Sequence, residues 1–302
     1  MSNKDVYFKD ITDARDNLTK RQQKEIRKFY SEWSKEVKSQ VEGSNISSQQ
    51  DLAKLYYSLR NSSRQLSAEI NNEVVRNAGV MGDVVVRTNQ RWLKSLGMST
   101  DSLDYRLSAQ KDIAIRSIIT GNLYQDGKPL NKTIWNITDS NIKDINSIIS
   151  KGIVLNYSAD EIARQLERYL NPTKLSGSLF QKYTDANGKT FYMHLKNRQP
   201  DWRAQRLART VLQHAYQQSL VLTTKDNPFV TGYIWHSNGA NACPICIDRD
   251  GQFYKASELP LDHPNGQCDF EVVIDEEKAR NDIIGFLNNP IEYPDIQRYL
   301  GE

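Results

Sequence analysis

Cys243 and Cys246 form a C-x-x-C pair, and His263 and Cys268 follow within the run CPICIDRDGQFYKASELPLDHPNGQC. These are all 3 cysteines of the 302-residue chain. Three thiolates and one imidazole at this spacing can close a tetrahedron around a single ion, and zinc is the metal that this ligand set takes. Two other uses of the cysteines are open to the sequence. Small apolar cysteines can cluster in a core, and Cys243 and Cys246 can pair as a disulfide, which the odd count disfavours. With all four positions taken by protein, no place is left for water or substrate, so the expected role of the zinc is structural. Its binding free energy, on the order of 10 kcal/mol, would be folding free energy for the element that holds it.

The elements around these residues must bring them together. Asp250-Gly251 suits a type I′ hairpin turn, with Phe253 and Tyr254 continuing an extended arm. Pro260 and Pro264 bracket the histidine and stiffen its approach. Upstream, the chain reads mostly as helix. Ile26, Tyr30, Trp33 and Val37 recur at three- and four-residue steps in a first helix over 13–42. A second runs from Ser47 or Ser48 to Leu96, with a break expected near Gly79 or Gly82. Shorter helices are expected at 108–120, 139–150 and 159–170, the last opened by the S-x-x-E capping box of Ser158 and Glu161. Asn187-Gly188 signals a β-hairpin, a helix follows over 202–224, and Gly232 to Trp235 reads as a strand. The stretch from Glu276 to Pro290 is helical. The fold class is therefore α+β: a long N-terminal helical region (1–150), then a smaller mixed domain (151–275) ending in a Cys3His zinc-knuckle-like β-hairpin, then an acidic helical tail (276–302).

Charge divides the chain. The net +3 combines a balance of +10 over residues 1–250 with −7 over 251–302. Between 189 and 209, Lys189, Lys196, Arg198, Arg203, Arg206 and Arg209 face the single acid Asp201. Such a cluster can bind nucleic-acid phosphates, or it is solvated surface. Trp33, Trp92, Trp135 and Trp202 read as core anchors, and His194, His214 and His236 as ordinary polar or core residues. No apolar run approaches the length of a membrane span, and the charged start MSNKDVYFKD lacks the apolar segment of a secretory signal. The expected surroundings are cytoplasmic, with no membrane partner.

From about residue 153 the order of features resembles the phage Mu F protein-like head morphogenesis family, the minor head (minor capsid) proteins of tailed bacteriophages. The matching residues are Ser158 and Glu161, Ala208-Arg209-Thr210, Trp235, Cys243-Pro244-Ile245-Cys246, Gly251, Pro260, His263-Pro264-Asn265 and Cys268. The chain departs at Val211, where the family often has glutamate, and at Gly266-Gln267, where it has Cys-Arg. The resemblance implies a non-enzymatic virion protein inside the capsid near the portal, assembled in the host cytoplasm. Its implied partners are the portal protein, other head proteins (scaffold or major capsid) and double-stranded DNA, in procapsid assembly or genome delivery. Three rival functions stand beside it, the second of them drawn from the family. An H-N-H-like nuclease would use Asp262-His263, but no cysteine or histidine follows residue 268. An ADP-ribosyltransferase-related effector would need a poised glutamate, and Q-x-E triplets such as Gln165-Leu-Glu167 fall in predicted helix. A zinc-stabilised nucleic-acid-binding protein would need the basic cluster.

Overall fold

The computed structural model describes residues 3–98, 101–172, 180–184, 190–194, 200–239 and 242–300; the side chains of 3–8, 101–102, 180–184 and 190–194 are not part of that description. In chain order the elements are α1 (Asn3–Glu42), α2 (Gln49–Ser95), α3 (Asp101–Thr120), α4 (Leu130–Val154), α5 (Ala159–Leu170), β1 (Phe180–Thr184), β2 (Thr190–His194), α6 (Pro200–Thr224), β3 (Val230–His236), α7 (Pro244–Arg249), β4 (Phe253–Tyr254), β5 (Asp269–Ile274), α8 (Glu276–Asn288), a 3-10 turn (Pro290–Glu292) and α9 (Pro294–Leu300). The chain is α+β, mostly helical, with one small antiparallel sheet in the order β4-β3-β5 and a separate β1-β2 pair. Among the described residues, no helix is long and apolar enough to cross a membrane.

Contacts group the chain into two units. One holds Met1–Lys20, Val74–Gly127 and Arg209–Glu302, the other Arg21–Glu73 and Lys128–Ala208. Each is assembled from separate stretches, so the units are drawn differently from the consecutive segments read from composition.

In the second unit the helical repeat buries one stripe per helix. Ile26, Tyr30, Trp33 and Val37 of α1 are buried, as are Leu59, Leu66 and Ile70 of α2 and Ile134, Ile145 and Ile149 of α4. The polar tips of Tyr30 and Trp33 are satisfied. Asn141 Nδ2 donates to Tyr30 Oη at 3.0 Å and Trp33 Nε1 to Ser62 Oγ at 3.0 Å. α4 ends on Asn156 in the left-handed region (φ 55°). The amides of Asn156 and Tyr157 return to Ile153 O and Gly152 O, which makes a Schellman closure. The capping box of α5 forms as expected, with Ser158 and Glu161 each accepting the other's backbone N–H. β1 and β2 pair antiparallel in register Phe180↔His194 to Thr184↔Thr190; the Asn187-Gly188 turn lies outside the described residues.

In the first unit, Val86, Leu93, Leu103, Leu107, Phe229, Ile283, Phe286, Ile296 and Tyr299 share one core. The acidic C-terminal stretch therefore supplies core side chains from α8 and α9. α2 runs through Gly79 and Gly82 without the expected break. A Cβ at Gly82 would lie 2.6 Å from Lys111 Cγ and 3.2 Å from Ser219 Oγ. That glycine serves close helix packing, which outweighs its weak helix propensity. In the sheet, β3 pairs with β5 over Val230↔Ile274 to His236↔Asp269 and with β4 at Tyr233↔Tyr254 and Ile234↔Phe253. Gly232 admits β4, because a Cβ there would meet the Phe253 ring at 2.4 Å and Tyr254 O at 2.5 Å.

Candidate metal centre

The cysteine pair sits in the connection between the antiparallel strands β3 and β4, where Cys243 caps the short helix α7 and Cys246 lies in its first turn. Pro244 at the first position of α7 presets its φ and gives up no useful donor. Cys243 and Cys246 are three residues apart, so one helical turn places both sulfurs on the same side. Asp250-Gly251 then makes a turn of another type than expected. Asp250 has φ −60° and ψ 128°, Gly251 has φ 74°, and Gln252 N donates to Arg249 O at 3.0 Å. These are features of a type II turn; type I′ needs positive φ at both residues. Gly251 N and Trp235 O, 2.8 Å apart, then carry the chain into β4 beside β3.

His263 opens a second tight turn. Gly266 N donates to His263 O at 2.8 Å, with Pro264 at the position that wants φ near −65° and Asn265 left-handed at φ 69°. Asn265 is held from α6: Arg209 Nη1 donates to its Oδ1 at 2.7 Å, and its N–H donates to Thr210 Oγ1 at 2.8 Å. The His263 ring lies with Nδ1 3.0 Å from Pro264 O and Nε2 3.3 Å from Cys243 Sγ. A carbonyl only accepts, so Nδ1 carries the proton and Nε2 offers its lone pair toward the sulfur. A metal-binding histidine is oriented in this way.

Cys268 precedes β5 and is clamped through its carbonyl, which accepts from Gln213 Nε2 at 2.6 Å and from Arg15 Nη1 at 3.0 Å. Arg15 is 5% exposed. It pairs with Asp269 at 2.5 Å and lies 5.6 Å from the centre of the Tyr216 ring. Burial raises the Asp269 carboxyl above its usual range, against the opposing pull of Arg15.

Among these residues lies Asp262, which is 2% exposed. Its carboxylate accepts from His263 N at 2.8 Å and Cys268 N at 3.3 Å. Its own N–H donates to Gln217 Oε1 at 2.9 Å, and its carbonyl accepts from His214 Nε2 at 2.9 Å. Burial lowers the His214 pKa, which favours the neutral ring with its proton on Nε2. Gln217 Nε2 also donates to Pro260 O at 2.7 Å. One polar stripe of α6 (Thr210, Gln213, His214 and Gln217, at steps of three, one and three) thus racks the loop from Pro260 to Cys268.

The donors converge. Those of Cys243, Cys246 and His263 lie within 4.8 Å of one another, and so do those of Cys246, Asp262 and Cys268, with Cys246 common to both sets. The cluster can hold a metal ion. Local chemistry fits one. The backbone N–H of Cys246 is the main cause that brings the Cys243 thiol below its ordinary pKa, without a closed capping hydrogen bond at that sulfur. Burial pushes Cys246 and Cys268 up, so their thiolates need a cation beside them. Trp235 Nε1 is buried with no hydrogen-bond partner and faces the Cys268 sulfur, where it favours the thiolate. A metal-bound thiolate would accept from this orphan donor better than a neutral thiol.

The other expected residues are scattered. Lys189, Lys196 and Arg198 lie outside the described residues. Arg203 is exposed and donates to Ser140 Oγ at 3.1 Å. Arg206 lies 5.5 Å from the centre of the Trp202 ring. Arg209 is half-buried and spends its guanidinium on Asn265, so it holds the ligand loop. Trp33 and Trp92 are buried as expected, whereas Trp202 is 48% exposed. His214 accepts at Nδ1 from Tyr124 Oη at 3.1 Å, and His236 meets Glu271 at 2.8 Å; the His194 side chain lies outside the description. Asp262, Arg15 and the α6 stripe were not foreseen as parts of the site. The three- and four-residue spacing of the polar residues Thr210, Gln213, His214 and Gln217 was the available signal for the stripe. No protein-family model, curated protein or solved structure matches this chain.

Proposed function

We propose that this chain is a non-enzymatic minor head protein of a tailed bacteriophage, held in shape by one zinc ion on Cys243, Cys246, His263 and Cys268. The observation that carries the reading is the contact between Arg209-Thr210 and Asn265. It joins the two separated halves of the motif on which the resemblance rests, A-R-T and H-P-N. Their spacing therefore has one physical purpose, to fix the loop that presents His263. Zinc is the metal that suits three thiolates and one imidazole in a closed tetrahedron. At bond lengths of about 2.3 Å to sulfur and 2.0–2.1 Å to nitrogen, a sulfur and a nitrogen on one ion stand roughly 3.6 Å apart, and the 3.3 Å between Cys243 Sγ and His263 Nε2 is close to that. When bound, the ion would supply a fixed positive charge that keeps the thiolates ionised.

In this reading His263 is a ligand and not a base, and Asp262 is used up on two backbone amides, so neither is left to activate water for an H-N-H reaction. The portal protein and other head proteins are the proposed partners, with packaged DNA as a further contact. Co-sedimentation of the purified chain with a portal protein tests the proposal, and binding at stoichiometric levels is the expected result. Failure to co-sediment, together with DNA nicking in Mg²⁺ that His263→Ala abolishes, would replace it with the nuclease reading.

A further inference from the structure

Trp202 is the most exposed of the tryptophans. Trp33, Trp92 and Trp235 are 3%, 8% and 0% exposed, while Trp202, in the first turn of α6, is 48% exposed. One cation stands over its ring and others lie on the same stretch of surface. Arg206, one turn on, lies 5.5 Å from the centre of its ring. Arg203 is exposed and is steadied by Ser140 Oγ of α4 at 3.1 Å. Arg27 of α1 is exposed and close enough to favour the charged form of Asp201. Asp201, the single acid between 189 and 209, is 1% exposed, and its carboxylate takes a hydrogen bond from Gln205 inside the protein. The acid that would neutralise this surface in a count of charges is therefore withdrawn from it. Of the nearby acids on α4, Asp139 is paired with Lys143 at 3.1 Å and Asp144 accepts from Tyr169 Oη at 2.6 Å.

We propose that Trp202, Arg203 and Arg206 form a binding surface for single-stranded nucleic acid, with Trp202 stacking on an unpaired base and the two arginines meeting the flanking phosphates. An indole ring left half in water offers a flat apolar face, and every base has a matching face, so such platforms tolerate any sequence. A duplex keeps its base faces stacked against one another and cannot offer one to a tryptophan on a convex helix. Phosphate contacts alone would need the arginines but not the ring. Arg206 over the indole keeps the ring in place and adds a cation beside the stacked base. The proposal stands on this surface alone. It depends neither on the metal site nor on the head-protein reading.

The test uses the full chain with oligothymidylate and oligouridylate of about 12 nucleotides, within the usual site size of such platforms, and a DNA duplex of the same length. Affinities are read by anisotropy across a salt series, with circular dichroism as the check on folding. Trp202→Ala should weaken single-strand binding roughly fivefold to a hundredfold, and Trp202→Phe should retain most of it. Arg203→Ala with Arg206→Ala should reduce the slope of log K against log salt by about 1.4, near 0.7 per lost contact. Duplex binding should be weaker and insensitive to Trp202. The tighter of the thymidylate and uridylate arms names the nucleic acid. A folded Trp202→Ala that binds single strands as the parent does, or a duplex that binds as tightly and loses as much on that substitution, overturns the proposal.

Discussion

Replacing Gly266 with alanine puts a methyl group where the Asp262 carboxylate already stands. The added Cβ would lie 2.2 Å from one carboxylate oxygen and 2.3 Å from the other and from Cγ, distances that no pair of atoms tolerates. The carboxylate has to move, and it cannot move while accepting from His263 N and Cys268 N. Each hydrogen bond to a charged acceptor is worth about 1.5–3 kcal/mol, so Gly266→Ala should destabilise the metal-loaded protein by roughly 3 kcal/mol or more. Both amides belong to residues proposed as ligands, so metal affinity should fall about 10–100-fold, the usual consequence of losing an outer group that orients ligands. Asp262→Ala should cost a similar amount. The decisive variant is the double one. With the carboxylate gone, the methyl group has room, and Gly266→Ala should add little, leaving a coupling energy of at least about 2 kcal/mol within the range for residues in contact. Denaturant unfolding and competition with a chromophoric chelator measure both quantities. Equal costs of Gly266→Ala with and without Asp262, or a single variant that unfolds and binds metal as the parent does, would refute the steric argument and the positioning role of Asp262.

Arg15→Ala should destabilise the protein by about 1.5–3 kcal/mol, because it takes the cation from the half-buried Asp269 carboxylate and leaves Gln213 as the remaining side-chain donor to Cys268 O; denaturant midpoints check this, and an unchanged midpoint contradicts it. Asn265→Gly keeps the left-handed backbone but removes the Arg209 acceptor, so it should cost about 1.5–3 kcal/mol, and in an Arg209→Ala background it should cost almost nothing. Chelation of the metal should lower the melting temperature strongly, and restoring zinc should recover it; a melt indifferent to chelator counts against a structural ion. Burial raises the Asp201 carboxyl above the usual carboxylate range. The native state then holds that proton more tightly than the unfolded chain does, and stability falls as pH rises from the ordinary carboxylate value through the raised one. Asp201→Asn should therefore be the more stable form at neutral pH, with its advantage shrinking in acid; an advantage constant with pH would contradict the burial argument.

The sequence declared its helices where caps and stripes were complete. Ser158 and Glu161 marked the start of α5 to the residue, because a capping box satisfies two backbone donors with local side chains alone. The starts of α3 and α4 came seven and nine residues earlier than expected, although Leu103 and Leu107, and Leu130 and Ile134, already stand one helical turn apart and are buried. Gly82 misled for a different reason: its role lies in contacts with Lys111 and Ser219, both distant in sequence. The cluster of Cys243, Cys246, His263 and Cys268, which could hold an ion, was legible from type and spacing. Their support was not, since Asp262 reads as a surface acid until Gly266, four residues on, is seen to leave it room. The short helix α7 inside the β3–β4 knuckle was not expected, although Pro244 sits where a helix start favours proline. Trp202 was read as core on residue type alone, which cannot tell a buried indole from one at a surface.

The claim on which the rest depends is that one ion joins Cys243, Cys246, His263 and Cys268. X-ray absorption at the zinc edge on protein purified without added metal, alongside elemental quantitation, tests it most directly. The account predicts one zinc per chain with three sulfur neighbours near 2.3 Å and one nitrogen near 2.0–2.1 Å. Substoichiometric metal, or a shell in which water or carboxylate oxygen replaces one of these donors, would contradict it.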